Sequence, residues 1–195
     1  MIEDNTLYIT GAGVSAESGI PTFRGSDGLW TVGSQNYTPQ EMATRQMYLS
    51  HPDEFLLWYF KRFASYRHIK PNAVHHWLAD KRLVTQNIDG LDDKAGNAAY
   101  VPIHGRLDKV TVLHEQGLDV PLSDAPWKDV AAACDDLEDN ERLTPILLDA
   151  FKISKATLTP ERNVSLSHSF CCLMNNILIS IAGQRQRIGC TTPSA

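Results

Sequence analysis

The sequence predicts an α/β fold in which a parallel sheet carries a smaller helical insertion. The first observation is the β-branched and aromatic run at residues 6–10, which predicts a buried strand leading into a glycine-rich turn. The second is that further short apolar strands, at residues 82–85 and 100–105, alternate with helical segments. The third is size, because 195 residues with 43% hydrophobic content suit one globular domain.

Composition excludes several classes of function. The net charge is −5, so the basic footprint of a nucleic-acid-binding protein is absent. No apolar run approaches the length of a membrane span, and the acidic N-terminus predicts neither a signal nor a transit peptide. The four cysteines form no Cys-x-x-Cys pair, which favours a reducing, cytoplasmic setting.

The glycine-rich turn follows the first strand as Gly11-x-Gly13-x-x-Ala16. Glycines at this spacing let the backbone approach a pyrophosphate at a helix start, as in Rossmann-like dinucleotide sites. The same glycines also suit a tight strand-to-loop turn that binds nothing. Pro21 then stops the helix early and leaves Thr22, Phe23 and Arg24 in a loop that offers a flat ring and a cationic fork.

The whole stretch G-A-G-x-S-x-x-S-G-I-P-x-F-R resembles the first signature of the sirtuins, the NAD-dependent protein deacylases, without a break. The resemblance implies that NAD is the cofactor and that an acyl-lysine protein or peptide is the substrate, with release of nicotinamide, O-acyl-ADP-ribose and free lysine. It implies cofactor binding by the first signature, at Gly11, Ala12, Gly13, Ser15, Ala16, Glu17, Ile20, Pro21, Thr22, Phe23 and Arg24.

Two helices are predicted next, at residues 39–48 and 53–65, after a Gly- and Ser-rich loop at residues 26–40. In the second helix Tyr59 and Arg62 share a face, and a phenol beside a guanidinium suits a carboxylate. A Tyr-x-x-Arg pair at this place, ahead of Pro71 and Asn72, resembles the sirtuins that remove succinyl and malonyl groups. The alternative is a solvated Arg62 beside a packed Tyr59.

The strand at residues 82–85 leads into Gln86-Asn-Ile-Asp-Gly-Leu, which resembles a second sirtuin signature. Polar groups at the carboxyl end of a parallel strand lie where such sheets bind ligands. By resemblance Asn87 and Asp89 line a nicotinamide pocket, and Gln86 and Ile88 also contact the cofactor. A turn closed by the two polar side chains is the alternative. Asp92 stands where the family usually has histidine.

His104 follows the strand predicted at residues 100–105 and forms a His-Gly pair that resembles a third signature. Histidine accepts protons near neutral pH, and by resemblance His104 is the general base.

The resemblance weakens after residue 105, and we divide the single domain into residues 1–105, 106–165 and 166–195. The middle part contains Cys134 but no second cysteine, so we expect no structural zinc. Its acidic stretch at residues 129–141 predicts a helix around residues 130–134, and residues 143–151 predict another. The part is either a zinc-free replacement for the small domain or a poorly ordered insert.

The tail lacks the strand and the acidic F-G-E or F-D-E element expected of a sirtuin. Codons for residues 166–182 can be chosen so that one inserted base restores L-K-P-F-V-L-L-F-D-E. We therefore hypothesise a frameshift near Leu166 that leaves the C-terminal half of the nucleotide-binding domain incomplete, and the coding DNA tests this.

Two alternatives to a deacylase stay open from the sequence. One is a sirtuin-like NAD hydrolase, and the other is a catalytically silent NAD-binding remnant. A plain Rossmann dehydrogenase is disfavoured, since no acidic residue ends a second strand about 20 residues on.

Overall fold

The computed structural model describes residues 6–22, 37–113, 121–134, 136–162 and 164–168. The predicted loop residues Phe23, Arg24 and Trp30 lie outside these ranges, and so do the three cysteines of the tail. None of the helices in the described ranges is long and apolar enough to cross a membrane.

A parallel sheet forms the frame of the nucleotide-binding part, as predicted. Its strands are β1 (Leu7–Thr10), β2 (Arg82–Thr85) and β3 (Val101–Pro102), in the order β1-β2-β3. The register pairs Thr10 with Thr85, so β1 and β2 end at the same edge. The third strand is shorter than the predicted 100–105, because the chain turns at once through a Gly105 N–H to Pro102 O hydrogen bond of 3.0 Å.

One face of β1 packs against another side chain, and the other face is exposed. Tyr8 meets the indole of Trp77 edge-on, with ring centroids 5.1 Å apart. On the other face Leu7 is 51% exposed and Ile9 is 70% exposed. Within the described residues β1 pairs with β2 alone, so it is an edge strand with an open apolar face.

In the part of the chain that the structure describes, six helices lie between these three strands in the sequence. The structure gives them as α1 (Gly13–Ala16), α2 (Pro39–Met42), α3 (Arg45–Ser50), α4 (Pro52–Tyr66), α5 (Ala73–Leu78) and α6 (Leu91–Lys94). The helix predicted at residues 39–48 is split because Thr44 starts a new one. Its hydroxyl donates to Glu41 O at 2.8 Å and accepts the Met47 N–H at 3.1 Å, which makes it an N-cap.

The insertion contains an antiparallel sheet in addition to the predicted helices. Strands β4 (Lys109–Val112), β5 (Ser123–Asp124) and β6 (Leu166–His168) form it in the order β5-β4-β6, and α7 (Trp127–Ala133) and α8 (Asn140–Ala150) accompany it. The first three residues of the predicted tail therefore close this sheet on β4. The sequence missed β5 because it is two residues long and fully exposed.

The main hydrophobic core lies between α4, α7, α8 and β4, away from the parallel sheet. Trp127 is fully buried at its centre, with Phe151 and Phe60 rings 4.8 and 6.0 Å from its own. Its indole N–H donates to the Leu107 carbonyl at 2.7 Å, so the buried indole nitrogen has a hydrogen-bond partner.

We expect Trp127→Ala to lower the free energy of unfolding by about 3–5 kcal/mol, since it leaves a large cavity and an unpaired buried carbonyl. Urea unfolding followed by circular dichroism measures this. Trp77→Ala is the matched control, because Trp77 is 54% exposed and should cost far less. Equal losses from the two substitutions would contradict the placement of the core.

Candidate nucleotide and acyl site at the sheet edge

Parallel pairing of β1 and β2 brings two loops side by side. The Thr10 hydroxyl donates to the Thr85 hydroxyl at 2.8 Å, and the Gln86 N–H donates to Thr10 O at 3.0 Å. The Asn87 N–H then donates to the Thr85 hydroxyl at 3.1 Å. The glycine loop after β1 and the Asn-Ile-Asp loop after β2 are thereby fixed against each other at the carboxyl edge of the sheet, where open α/β sheets bind ligands.

One pocket lies between these loops and the end of α4. Seven of its lining residues come from the first and second signatures and Arg62 comes from α4; the full lining is Ala12, Ser15, Ile20, Pro21, Arg62, Tyr66, Asn87, Ile88, Asp89 and Leu107. Residues about 75 positions apart in the chain thus meet around a single cavity. The sequence prediction named eight of them and missed Tyr66 and Leu107.

Ser15 lies at the centre of a buried polar cluster beneath the pocket. Its hydroxyl donates to Asp89 Oδ2 at 2.7 Å and accepts the Asn87 side-chain amide N–H at 3.1 Å. The same Asn87 amide also donates to Gly11 O at 3.2 Å. Ser15 is 1% exposed and Asn87 is 5% exposed, so these bonds form in a medium of low polarity and hold both loops in one geometry.

A second layer of polar residues supports Ser15 from α5. His75 is fully buried, and its Nε2 lies 3.4 Å from Ser15 Oγ. Its Nδ1 lies 2.9 Å from Oδ1 of Asn72, whose side-chain amide donates to Val14 O at 2.7 Å. Burial lowers the pKa of His75 more than the Asp89 charge raises it, so the ring is neutral at pH 7.

Asn87 presents an acceptor that no described residue uses. Within the described residues its Oδ1 is buried and has no hydrogen-bond partner. Because an unsatisfied buried carbonyl oxygen is costly, the site is prepared for a ligand that donates an N–H or O–H there.

Asp89 is held by backbone geometry as well as by Ser15. Its Oδ1 accepts the Leu91 N–H at 2.9 Å, and Gly90 between them adopts φ +72°. Only glycine enters this left-handed region without strain, and a Cβ at Gly90 would come within 3.7 Å of the Asp108 carboxyl. The turn is what starts α6 directly behind the pocket.

Asp92 follows as a second, buried carboxyl group. It is 3% exposed, and its Oδ1 has no hydrogen-bond partner among the described residues. Burial, and then the neighbouring Asp89 charge, raise the pKa of Asp92 to about 6. The sequence had flagged this position as unusual, and the structure makes it the ionisable neighbour of Asp89.

The predicted base His104 stands outside the pocket lining. It lies in the turn after β3, just beyond the Ile103 N–H that donates to Thr85 O at 2.9 Å. Its residue surface is exposed, yet partial burial of the ring lowers its pKa, so it is neutral at pH 7. Gln86 is exposed and also outside the lining, as are Gly11, Gly13, Ala16, Glu17 and Thr22.

Arg62 of the predicted pair on α4 lines the pocket, and Tyr59 does not. Tyr59 is 1% exposed in the hydrophobic core, with its ring 4.6 Å from Phe55, so it does not join Arg62 at the pocket. Tyr66 takes that place, one helical turn after Arg62. Successive residues of a helix are rotated by 100° about its axis, and the ring of Tyr59 packs against apolar neighbours in the core. A two-residue motif does not show which side chains face the core.

Arg62 is preorganised at the rim of the pocket. Its guanidinium carbon lies 3.3 Å from the centroid of the Trp58 ring, and its Nη1 donates to Trp58 O at 2.9 Å. Burial lowers the pKa of Arg62 to about 10, and burial raises the pKa of Tyr66. At pH 7 a cation therefore stands beside a neutral phenol, which is a suitable arrangement for a carboxylate ligand.

The described ranges contain no group of three or more His, Cys, Asp and Glu side chains that could hold a metal ion. Cys134 is buried at the end of α7, and its thiol donates to Asp136 O at 3.0 Å.

The parallel sheet and the pocket at its carboxyl edge define an α/β protein of the nucleotide-binding type. The profile described as Sir2 family matches residues 11–137, which is more than half of the chain. The chain therefore belongs to the Sir2 family.

Named relatives agree with this assignment. The chain is 40% identical over 132 residues to NAD-dependent protein deacylase 1 of Caldanaerobacter subterraneus subsp. tengcongensis, covering 62% of this chain and 53% of that protein. It is 42% identical over 108 residues to NAD-dependent protein deacylase 1 of Archaeoglobus fulgidus, covering 52% and 42%. The chain thus spans about half the length of these curated relatives.

A solved structure resembles the fold over most of the chain. The crystal structure of a Sir2 homologue in complex with NAD matches with a TM-score of 0.56 and 26% identity, covering 93% of this chain and 64% of that one.

We expect the contribution of Asp92 to the free energy of unfolding to fall as pH rises from about 3.8 to about 6, and to stay constant above that. The folded pKa of about 6 exceeds the ordinary value of 3.8, so the folded state binds the proton more tightly than the unfolded state does. Between pH 4.5 and 7.5 the stability of Asp92→Asn relative to the parent should therefore rise by about 1–3 kcal/mol.

Chemical unfolding at several pH values measures this, and comparing pH values cancels any cost of the amide that does not depend on pH. Asp93→Asn is the control, because its exposed carboxylate pairs with Arg106 at 2.9 Å and should give no such gain. A flat difference for Asp92→Asn would show that Asp92 ionises freely.

Proposed function

We propose that this protein is an NAD-dependent protein-lysine deacylase. The observation that carries the proposal is the buried cluster in which Ser15, Asn87 and Asp89 unite the two signature loops around one pocket. The names of the relatives support the same activity.

The residues present fit NAD in two respects. The unused Oδ1 of buried Asn87 is an acceptor that suits the N–H of a carboxamide, and Ala12 and Ile20 offer an apolar wall. When bound, NAD supplies the ribosyl carbon to which the acyl oxygen is transferred as nicotinamide departs. We assign Ser15, Asn87, Ile88 and Asp89 to its nicotinamide end, and the backbone of the glycine loop to its phosphates.

The work of the protein's own groups is binding, orientation and proton transfer. In the structure Asp89 accepts the Ser15 hydroxyl and the Asn87 amide donates to Gly11 O, so both side chains are held at the pocket before a ligand arrives. His104 is neutral at pH 7 because partial burial lowers its pKa, which leaves its ring able to accept a proton. We propose it as the general base for a ribose hydroxyl.

For the acyl group we propose recognition of a carboxylate by Arg62 and Tyr66. This replaces the pair of Tyr59 and Arg62 expected from the sequence, because Tyr59 belongs to the core. The stacking of Arg62 on Trp58 and its hydrogen bond to Trp58 O fix the guanidinium at the rim of the pocket. Succinyl- and malonyl-lysine are the substrates that present such a carboxylate.

The remaining proposals concern partners and location. We propose an acyl-lysine protein or peptide as the partner, and neither nucleic acid nor membrane, supported by the net charge of −5. We propose a cytoplasmic location because the sequence contains no Cys-x-x-Cys pair.

The first test is nicotinamide release from NAD by the purified chain with and without an acyl-lysine peptide. We expect release to depend on the peptide and to fall about 100-fold or more in His104→Ala, the usual size of a lost general base. His68→Ala is the control, since His68 is exposed and lies outside the pocket lining. Release that does not depend on the peptide would instead indicate an NAD hydrolase, and NAD binding in calorimetry without any release would indicate the catalytically silent NAD-binding remnant.

The second test concerns acyl preference. We expect Arg62→Met to lower kcat/KM for a succinyl peptide relative to an acetyl peptide by about 10–100-fold, the size of a lost charge-assisted hydrogen bond. Methionine keeps the apolar stem against Trp58. Lys61→Met is the matched control, because Lys61 points to Glu138 at 3.0 Å. An unchanged succinyl-to-acetyl ratio in Arg62→Met would exclude Arg62 from acyl recognition.

A further inference from the structure

The buried histidine of α5 has one ring nitrogen whose role the geometry decides. Nδ1 of His75 lies 2.9 Å from Oδ1 of Asn72, and the Asn72 N–H approaches the same nitrogen at the longer distance of 3.3 Å. The orientation of the Asn72 amide is fixed independently, because its Oδ1 accepts the Val74 N–H at 3.0 Å and its Nδ2 donates to Val14 O at 2.7 Å.

An unprotonated Nδ1 would accept the Asn72 N–H at 3.3 Å, but it would also face Oδ1 of Asn72, a second acceptor, at 2.9 Å. Because repulsion at the shorter distance outweighs the longer bond, we infer the tautomer in which Nδ1 carries the proton and donates it to Asn72. Nε2 of the neutral ring is then a bare acceptor. It is aimed at Ser15 Oγ at 3.4 Å, in a place where His75 is fully buried and Ser15 is 1% exposed.

The Ser15 hydroxyl consequently has two acceptors and one proton. In the structure that proton goes to Asp89 Oδ2 at 2.7 Å, and Nε2 of His75 stands as the more distant choice. A ligand donor that takes over this carboxylate oxygen would otherwise leave a buried hydroxyl without an acceptor, which costs free energy. The second acceptor removes that cost.

We propose that His75 is a positioning residue that receives the Ser15 hydroxyl when Asp89 turns to a ligand. Asn72 sets the tautomer, His75 offers Nε2, and Ser15 rotates about its Cα–Cβ bond between Asp89 and His75. The hydrogen-bond argument stands on the geometry alone, and its meaning for catalysis rests on the proposed NAD site.

Long-range ¹H–¹⁵N NMR of the full chain labelled at its seven histidines tests the proposal without any ligand. His75→Gln identifies the His75 signals. At pH 7 we expect the proton on Nδ1 and a bare Nε2, and a proton on Nε2 would overturn the proposal. This measurement on the parent chain requires no variant other than the one used for assignment.

Removal of the competing acceptor tests the rotation. In Asp89→Ala the hydroxyl of Ser15 keeps His75 as its acceptor, so the bare Nε2 resonance should move upfield. The double variant Asp89→Ala with Ser15→Ala should not show this shift. The control double variant, Asp89→Ala with Ser18→Ala, should show it. An Nε2 resonance that ignores Asp89→Ala in a folded protein would refute the rotation.

Addition of NAD separates this inference from the proposed function. NAD should reproduce the upfield shift in the parent chain and not in Ser15→Ala. If Asp89→Ala produces the shift but NAD produces none in the parent chain, the role of His75 is supported and the proposed NAD site is contradicted.

A kinetic double-mutant cycle supplies the functional readout. His75→Leu should raise KM for NAD about tenfold in the parent chain, the size of one lost hydrogen bond, and have no further effect in Ser15→Ala. His76→Leu is the control, because His76 is exposed on the same helix. Equal effects of His75→Leu in both backgrounds would show that His75 acts through packing and not through Ser15.

Discussion

The site depends on the parallel register between β1 and β2. Pairing Thr10 with Thr85, and joining their hydroxyls, makes the two strands end at the same level. The polar contacts between the two loops follow, because Ser15 comes five residues after Thr10, and Asn87 and Asp89 come two and four residues after Thr85. Since side chains alternate along a strand, a slip of one residue would move both loops and break the Ser15 to Asp89 bond.

The core and the site are connected through α4. Its apolar face places Phe55, Tyr59 and Phe60 among the aromatic side chains of the core, while its last turn carries Arg62 and Tyr66 to the pocket. A rigid, well-packed helix thereby positions two polar side chains at the rim more precisely than a loop would. The insertion, although it shares little pattern with the sirtuin signatures, is what holds this helix in place.

The fold class could be predicted because its signals are local. The run before Gly11, the strand before Gln86 and the capping box of Thr38 with Glu41 each act within a few residues, and each is found. Seven of the eight pocket residues named from the sequence came from resemblance to long motifs, and Arg62 came from the short Tyr-x-x-Arg pair. Tyr66, Leu107 and the support of Ser15 by His75 escaped because they depend on contacts between segments that are distant in the chain. Tyr59 was misplaced for the same reason, since helix rotation and the apolar neighbours of its ring decide which face it occupies.

The open face of β1 bears on how the molecule behaves among its neighbours. The strand order β1-β2-β3 is one half of a doubly wound sheet, in which the first strand stands at the centre. Leu7 and Ile9 accordingly have the composition of an interior strand, although within the described residues β1 is at the rim. Edge strands with apolar side chains and unpaired backbone groups are templates for strand addition by other chains. Among the described residues, the strand that aligns the site is therefore also the strand whose exposed apolar edge favours strand addition.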